Sequence, residues 1–240
     1  MPIRYSVVIP AHNEAQNLPS LLEKIQQVLE KTGREFEIIV VNDNSTDNTK
    51  EVLEQLSRSV RNLKIICRNE HPGVGHTIRE GLKKAQGEII ITMDGDLSHD
   101  PKKIPRLLER LDRFDMVCGS RYMPGGAAGM SLTRILLSGI SNKIIKCLLR
   151  LPVSDSTSGF RVFKRKIIDT IVLKRGHFGI YLEILLKAYM EGFLITEEPI
   201  TYHKRRYGKT KLIYWIQVWD YLRVIREITR LRLRKFFSSF

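Results

Sequence analysis

Two hydrophobic rhythms alternate along the first half of the chain. Short, β-branched runs cover Tyr5–Ile9, Phe36–Val41, Leu63–Cys67, Glu88–Thr92 and Asp115–Cys118. Ile38–Val41 and Ile89–Ile91 contain no polar position, as expected of parallel strands buried on both faces. Helical spacing of apolar residues covers 14–31, 46–57, 74–85 and 101–113. Asn44-Ser45-Thr46-Asp47 supplies capping residues for the second helix, and Pro101 suits the first turn of the fourth. This βαβα order predicts an α/β fold: an open, mostly parallel sheet with helices on both faces. Ligands of such sheets bind beyond the carboxyl ends of the strands.

The polar motifs obey that rule. Pro10-Ala11-His12-Asn13-Glu14 follows the first strand and Asn42-Asp43-Asn44-Ser45 the second. Asp94-Gly95-Asp96 follows the fourth strand and Gly119-Ser120-Arg121-Tyr122 the fifth. Each alone reads as turn chemistry; together they would converge on one sheet edge. Carboxylates spaced as in Asp94-x-Asp96 can share a hard divalent cation, which completes its shell with water and substrate phosphates. Gly73-x-Gly75 is not a dinucleotide fingerprint, because Ile78 stands at its third glycine position and no strand precedes it directly. The six histidines lack metal-ligand spacing; His99, close to the two aspartates, reads as a structural or supporting residue.

Charge changes the picture because it is uneven. The 240 residues carry +14, of which +9 falls in residues 201–240 and +4 in 131–150. Those two segments face something anionic, whether nucleic acid, a membrane surface or a phosphorylated ligand, or else form solvated helix faces. No apolar run approaches the roughly 18–20 residues needed to cross a bilayer. The start of the chain lacks a secretory leader pattern. Cys67, Cys118 and Cys147 suit neither a disulfide framework nor a zinc site, so a reducing compartment is expected.

Read together, these motifs, with Asp155-Ser156-Thr157-Ser158-Gly159-Phe160-Arg161 and Gly208-Lys209-Thr210-Lys211 after them, resemble the inverting glycosyltransferases of family 2. Within that family the chain is most similar to the dolichol-phosphate (polyprenol-phosphate) mannosyltransferases. The resemblance covers residues 5–212 and implies a GT-A fold over 1–211, followed by a basic amphipathic tail at 212–240. It implies transfer of mannose from GDP-mannose to a polyprenyl phosphate, with UDP-glucose or another donor as the alternative. It assigns Pro10, Ala11, Glu14 and Asp43 to the nucleotide pocket. Asp94 and Asp96 would hold Mg²⁺ or Mn²⁺, and Asp96, Arg121 and Arg205 would serve catalysis. Arg121, Arg134, Ser138 and Arg205 would hold the acceptor phosphate. Two positions depart from the pattern: Ser98 replaces a glutamine that some relatives carry, and Asn42 replaces an acid before Asp43.

Membrane contact rests on two stripes. Leu132, Leu136, Ile140, Ile144 and Leu148 recur every four residues, and Leu222, Ile225, Ile228 and Leu231 form a drifting stripe opposite Arg223, Arg226, Arg230 and Arg234. Tyr214, Trp215, Trp219 and Tyr221 suit headgroup depth. Both stripes fit interfacial helices, and both also fit packing on the core. The expectation is peripheral attachment to the cytoplasmic face of a membrane, the endoplasmic reticulum in a eukaryote or the plasma membrane in a prokaryote, with small membrane subunits as possible partners. Two other classes compete: a basic nucleic-acid-binding module, which leaves the strand-end motifs unexplained, and an inactive membrane scaffold. The favoured reading has no nucleic-acid partner.

Overall fold

A computed structural model describes residues 2–70, 72–208 and 214–237, and the backbone alone at 214–215 and 232–237. The strands are β1 (Tyr5–Ala11), β2 (Phe36–Asp43), β3 (Leu63–Arg68), β4 (Ile89–Thr92), β5 (Met116–Ser120), β6 (Ala127–Ala128), β7 (Arg161–Lys164), β8 (Ile195–Pro199) and β9 (Thr201–Tyr202). The helices are α1 (Leu18–Glu30), α2 (Thr49–Leu56), α3 (Val74–Lys84), α4 (Ile104–Glu109), α5 (Leu132–Leu149), α6 (Lys166–Thr170), α7 (Gly179–Met190) and α8 (Tyr214–Phe237). Seven strands form one sheet in the order β3-β2-β1-β4-β7-β5-β8, and β6 pairs with β9 beside it. Every strand of the large sheet runs the same way except β7, which is antiparallel to both β4 and β5. The expected doubly covered, mostly parallel sheet is therefore present, with a reversed strand inserted in its middle.

The apolar runs form the central strands because both sheet faces are covered. One face packs Val7, Ile9, Ile38, Val40 and Ile91 under α1, α2 and α4. The other packs Val8, Ile39, Val41 and Ile90 against α3, α7 and α8. Helix α1 buries Leu18, Leu21, Leu22, Ile25 and Leu29, a helical stripe. It starts at Leu18 rather than residue 14, which leaves residues 12–17 as turns that present Glu14 to the sheet edge. The helix expected over 101–113 is divided: a 3₁₀ turn at Pro101–Lys103, then α4, then a second turn at Arg110–Asp112. Pro105 has no N–H to give the carbonyl of residue 101, so one continuous α-helical ladder cannot form. Asp100 caps the first turn through the Lys102 N–H at 3.0 Å, as the Pro101 position implied.

The two amphipathic stripes have opposite fates. In α5, Leu132, Leu136, Ile140, Ile144 and Leu148 are all 56% exposed or more. In α8, Val224 and Ile228 are buried, and Tyr221, Ile225 and Leu231 pack against the α7 side of the core. Asp220 accepts from the Gly179 N–H at 2.7 Å, and Glu227 pairs with Arg175 at 2.6 Å and Lys187 at 3.3 Å. The tail stripe expected at a membrane is thus largely turned inward, and α8 belongs to the body of the domain rather than to an appendage. Trp219 and Leu222 remain exposed. The side chains of Tyr214, Trp215 and Arg234, and residues Lys209, Thr210 and Lys211, lie outside the described residues. Among the described residues no helix is long and apolar enough to cross a membrane.

Candidate active site

Four strand ends meet at the carboxyl edge of the sheet. The β4 end carries Asp94-Gly95-Asp96, and Leu97 turns the chain with φ of 61°. A side chain at Gly95 would stand 2.9 Å from the Pro10 carbonyl, so glycine lets this loop close on the end of β1. Asp96 is buried, and its Oδ1 accepts from the Ser98 N–H at 3.0 Å and the Ser98 hydroxyl at 2.5 Å. Its Oδ2 faces Arg205, with Nη2 at 3.0 Å and Nε at 3.2 Å. Arg205 also lies 3.4 Å from Glu14 Oε1. Glu14 is fixed by Asn17 Nδ2, which donates to Oε2 at 2.6 Å, and its own N–H donates to Thr49 Oγ1 at 2.9 Å. Residues from β1, β4 and the segment after β9 thus form one compact acid–base cluster.

Asp94 lies at the open side of that cluster. Its Oδ1 accepts from the Tyr181 hydroxyl at 3.3 Å. The Asp94 N–H donates to His99 Nδ1 at 3.3 Å, which requires that nitrogen to be unprotonated and puts the ring proton on Nε2. Burial also lowers the His99 pKa, so the 3.8 Å approach of His99 to Asp94 Oδ2 is not an ion pair. The ring packs between Phe160 and Tyr202, centroids 5.2 and 5.4 Å away. Burial and the neighbouring Asp96 charge push the Asp94 carboxyl up, against the pull of Arg205 and the Tyr181 hydroxyl. Asp96 goes the other way: burial raises it, but the Ser98 hydroxyl and Arg205 outweigh that and hold it low. Two neighbouring carboxylates are therefore tuned apart.

Asp43 stands at the end of β2, apart from the Glu14 cluster. It accepts from Arg68 and, at 2.6 Å, from the Gly73 N–H. His12 Nδ1 reaches its backbone carbonyl at 2.6 Å, joining the first and second strand-end loops. The expected basic residues divide. Arg121 commits both arms of its fork to Asp155, with Nε at 2.6 Å and Nη2 at 2.8 Å, and gives Nη2 also to Thr157 Oγ1 at 2.9 Å. It is a buried, paired guanidinium, with Tyr122 and Tyr202 rings 5.2 and 5.5 Å from it. Arg134 and Ser138 lie partly buried on α5, one turn apart. From α5, Asn142 Nδ2 donates at 3.2 Å to the Thr157 hydroxyl that also takes Arg121, so α5 borders the same cleft.

Asp155, Tyr181 and Asn17 contact Arg121, Asp94 and Glu14, and the sequence did not single them out for these positions. Tyr181 comes from a helix that is apolar nearly all round, and nothing in its spacing links it to Asp94. Asp155 opens the Asp155–Arg161 motif, but its pairing with a residue 34 positions earlier has no local signature. The donor set suits a hard divalent cation. Asp94 and Asp96 offer carboxylate oxygen, and the guanidinium of Arg205 already sits as a cation among the acids. No group of three or more His, Cys, Asp or Glu that could hold a metal occurs among the described residues. A two-carboxylate site leaves positions open for water and phosphate oxygen.

The comparisons with known proteins agree with this architecture. The chain is 33% identical over 234 residues to a dolichol-phosphate mannosyltransferase of Pyrococcus furiosus, spanning 95% of this chain and 64% of that protein. It is 29% identical to a polyprenol monophosphomannose synthase of Mycolicibacterium smegmatis, over 87% of this chain and 81% of that one. A dolichol-phosphate mannosyltransferase of Saccharomyces cerevisiae matches at 29% over 95% and 88%. Among solved structures, glucosyl-3-phosphoglycerate synthase of Mycobacterium tuberculosis in complex with UDP shares the fold, with a TM-score of 0.71 at 18% identity over 94% of this chain and 80% of that one. The glycosyl transferase family 2 profile matches residues 6–172, spanning β1 through α6 and both aspartates of the β4 loop; the chain belongs to that family.

Proposed function

We propose that the protein transfers mannose from GDP-mannose to the phosphate of a membrane-borne polyprenol, with inversion. The observation that supports this reading best is the ion pair of Arg205 with Asp96 at 3.0 Å, a cation beside the acids assigned here to the donor site. The named relatives supply the sugar and the lipid class. In this reading Pro10, Ala11, Glu14 and Asp43 line the nucleotide pocket, and Asp94 and Asp96 hold Mg²⁺ or Mn²⁺. Bound there, the metal supplies positive charge that stabilises the departing diphosphate. Arg134, Ser138 and Arg205 hold the acceptor phosphate, and Arg121 backs them from its pair with Asp155. A phosphate monoester already carries about −1.5 to −2 charges, so its oxygen attacks without a strong general base. The side chains therefore act by orientation and field. In-line attack on an α-linked donor gives a β-linked product.

The exposed leucine and isoleucine face of α5 lies against the lipid surface from which the acceptor rises, with Lys143 and Arg150 meeting anionic headgroups. We place the protein peripherally on the cytoplasmic face of that membrane. The test uses the full chain with Mg²⁺ or Mn²⁺, polyprenyl phosphate in anionic vesicles, and labelled GDP-mannose or UDP-glucose. Label from GDP-mannose passing into the lipid fraction is the expected result. No lipid label from either donor, or faster labelling from UDP-glucose, overturns the reading.

A further inference from the structure

Helix α5 turns most of its apolar residues outward, and the residues it buries are Asn142, Ile145 and Leu149. Asn142 is 1% exposed. Its Oδ1 accepts from the Ser156 N–H at 2.8 Å and the Ser156 hydroxyl at 2.7 Å. Its Nδ2 donates to the Ser138 carbonyl at 3.0 Å and to Thr157 Oγ1 at 3.2 Å. Both acceptor sites and both donors of the amide are thus in use. Thr157 Oγ1 also accepts from Arg121 Nη2 at 2.9 Å and donates to Asp155 Oδ1 at 3.2 Å. From the other side, the fully buried Arg161 binds the Ser156 carbonyl at 2.7 Å and the Ser158 carbonyl at 2.9 Å. The 155–158 loop is therefore clamped between Arg161 and Asn142, and the Arg121 fork hangs on it.

We infer that Asn142 is a positioning residue for the acceptor end of the reaction. It locks α5, which carries Arg134 and Ser138, to the loop that aims Arg121, through the shared hydroxyl of Thr157. Arg121 and Arg134 come from separate elements with no backbone pairing between them, so a rigid link is needed to hold them in one geometry. The donor groups Glu14, Asp43, Asp94 and Asp96 share no hydrogen bond with Asn142. The bonds of Asn142 therefore bear directly on the acceptor groups and reach the donor groups only through further residues. This inference rests on the transfer reaction proposed above.

The test compares Asn142→Ala, Thr157→Val, Thr157→Ser and the Asn142→Ala/Thr157→Val double variant with wild type, in the vesicle assay with GDP-mannose. Asn142→Ala and Thr157→Val should each raise the KM for polyprenyl phosphate roughly tenfold, the loss expected of one broken link. The KM for GDP-mannose should stay within about twofold of wild type, since the removed bonds lie outside the donor site, while kcat falls with the aim of Arg121. Thr157→Ser keeps the hydroxyl and should retain the wild-type acceptor KM. The double variant should fall short of the product of the two single effects, because both singles lose the Asn142–Thr157 bond, while Asn142→Ala alone loses the Ser156 bonds and Thr157→Val alone the Arg121 bond. Should Asn142→Ala fail to fold, Thr157→Val decides, since it keeps the side-chain shape. An unchanged acceptor KM in Thr157→Val overturns the inference, and so does a parallel loss in both substrates and kcat, the mark of a purely structural role. Inactive wild type overturns the transfer reading and the inference with it; active wild type with an unmoved acceptor KM overturns the inference alone.

Discussion

At the scale of single residues, Arg205 has the most consequential position, because it binds the groups assigned to the metal and nucleotide. Asp96 Oδ2 lies 3.0 Å from the Arg205 guanidinium, and in the proposed reading the same carboxylate would hold the metal. Removing that positive charge should favour a second cation at the same acids. Arg205→Ala is expected to tighten Mn²⁺ binding several-fold, read by electron paramagnetic resonance of the free ion, while it weakens transfer to lipid. Unchanged Mn²⁺ affinity would mean that the guanidinium and the metal do not compete. Asp96→Ala removes a carboxylate from the same cluster and should reduce transfer by roughly a hundredfold or more, as excess EDTA should for wild type. Arg134→Lys is the cleaner acceptor probe: it keeps the charge, loses the planar fork and lies on α5 rather than on the segment that carries Arg205. It should raise the acceptor KM and leave donor affinity in place. The legible part of the site was the part written next to strand ends, where Glu14, Asp43, Asp94 and Asp96 each follow an apolar run. Asn142, Asp155 and Tyr181 were not legible as partners, because a buried polar side chain has meaning only through contacts made far along the chain.

At the scale of elements, α5 and α8 show why amphipathicity by itself does not choose between lipid and core. Both carry apolar residues at helical spacing beside arginine and lysine. The structure separates them by what needs covering. Helix α7 buries ten consecutive residues from Gly179 to Ala188, so it requires a neighbour on each side, and α8 supplies one. That all-round apolar run was visible in the sequence and was the available signal that the tail packs inward. Two consequences can be measured. Ile228→Ala, at a side chain with no exposure, should cost about 2–5 kcal/mol in chemical denaturation. Truncation after Leu212 should expose the α7 face and destabilise the whole domain, rather than leave an intact donor site without a membrane tether. By contrast, Leu136 and Ile140 are 62% and 56% exposed, so Leu136→Ser with Ile140→Ser should leave the melting temperature near wild type. The same pair should weaken sedimentation with anionic vesicles. A large loss of stability with unchanged vesicle binding would assign α5 to a protein partner instead.

At the scale of the whole molecule, the sheet order explains how donor and acceptor chemistry come to share one edge. Strand β7 enters between β4 and β5 in the reverse direction, so the 155–160 loop that precedes it starts at the same edge where the parallel strands end. That insertion brings Asp155 to Arg121 and Gly159 to Asp94, and the fold therefore depends on buried charge at this edge. Asp155 has no exposed surface; burial raises its pKa, but Arg121 and the N–H donors of Arg121 and Thr157 outweigh that and hold it below the usual carboxylate value of 3.8. A folded-state pKa below the unfolded one stabilises the protein above the unfolded value, and the contribution is lost as pH falls through the folded one. Glu227, held low by Lys187, Lys174 and Arg175 against burial, acts with the same sign where α8 meets α7. Protonating these acids also adds to a chain that already carries +14, so self-repulsion grows in the same direction. Stability should therefore hold through neutral pH and fall steeply below about pH 4. Asp155→Asn leaves Arg121 buried without its countercharge, and at neutral pH it should cost about 3–5 kcal/mol. Its stability should then vary less between pH 6 and pH 3 than that of the parent. Urea melts of both proteins across that range test this directly, and parallel curves would mean that Asp155 does not carry the acid sensitivity.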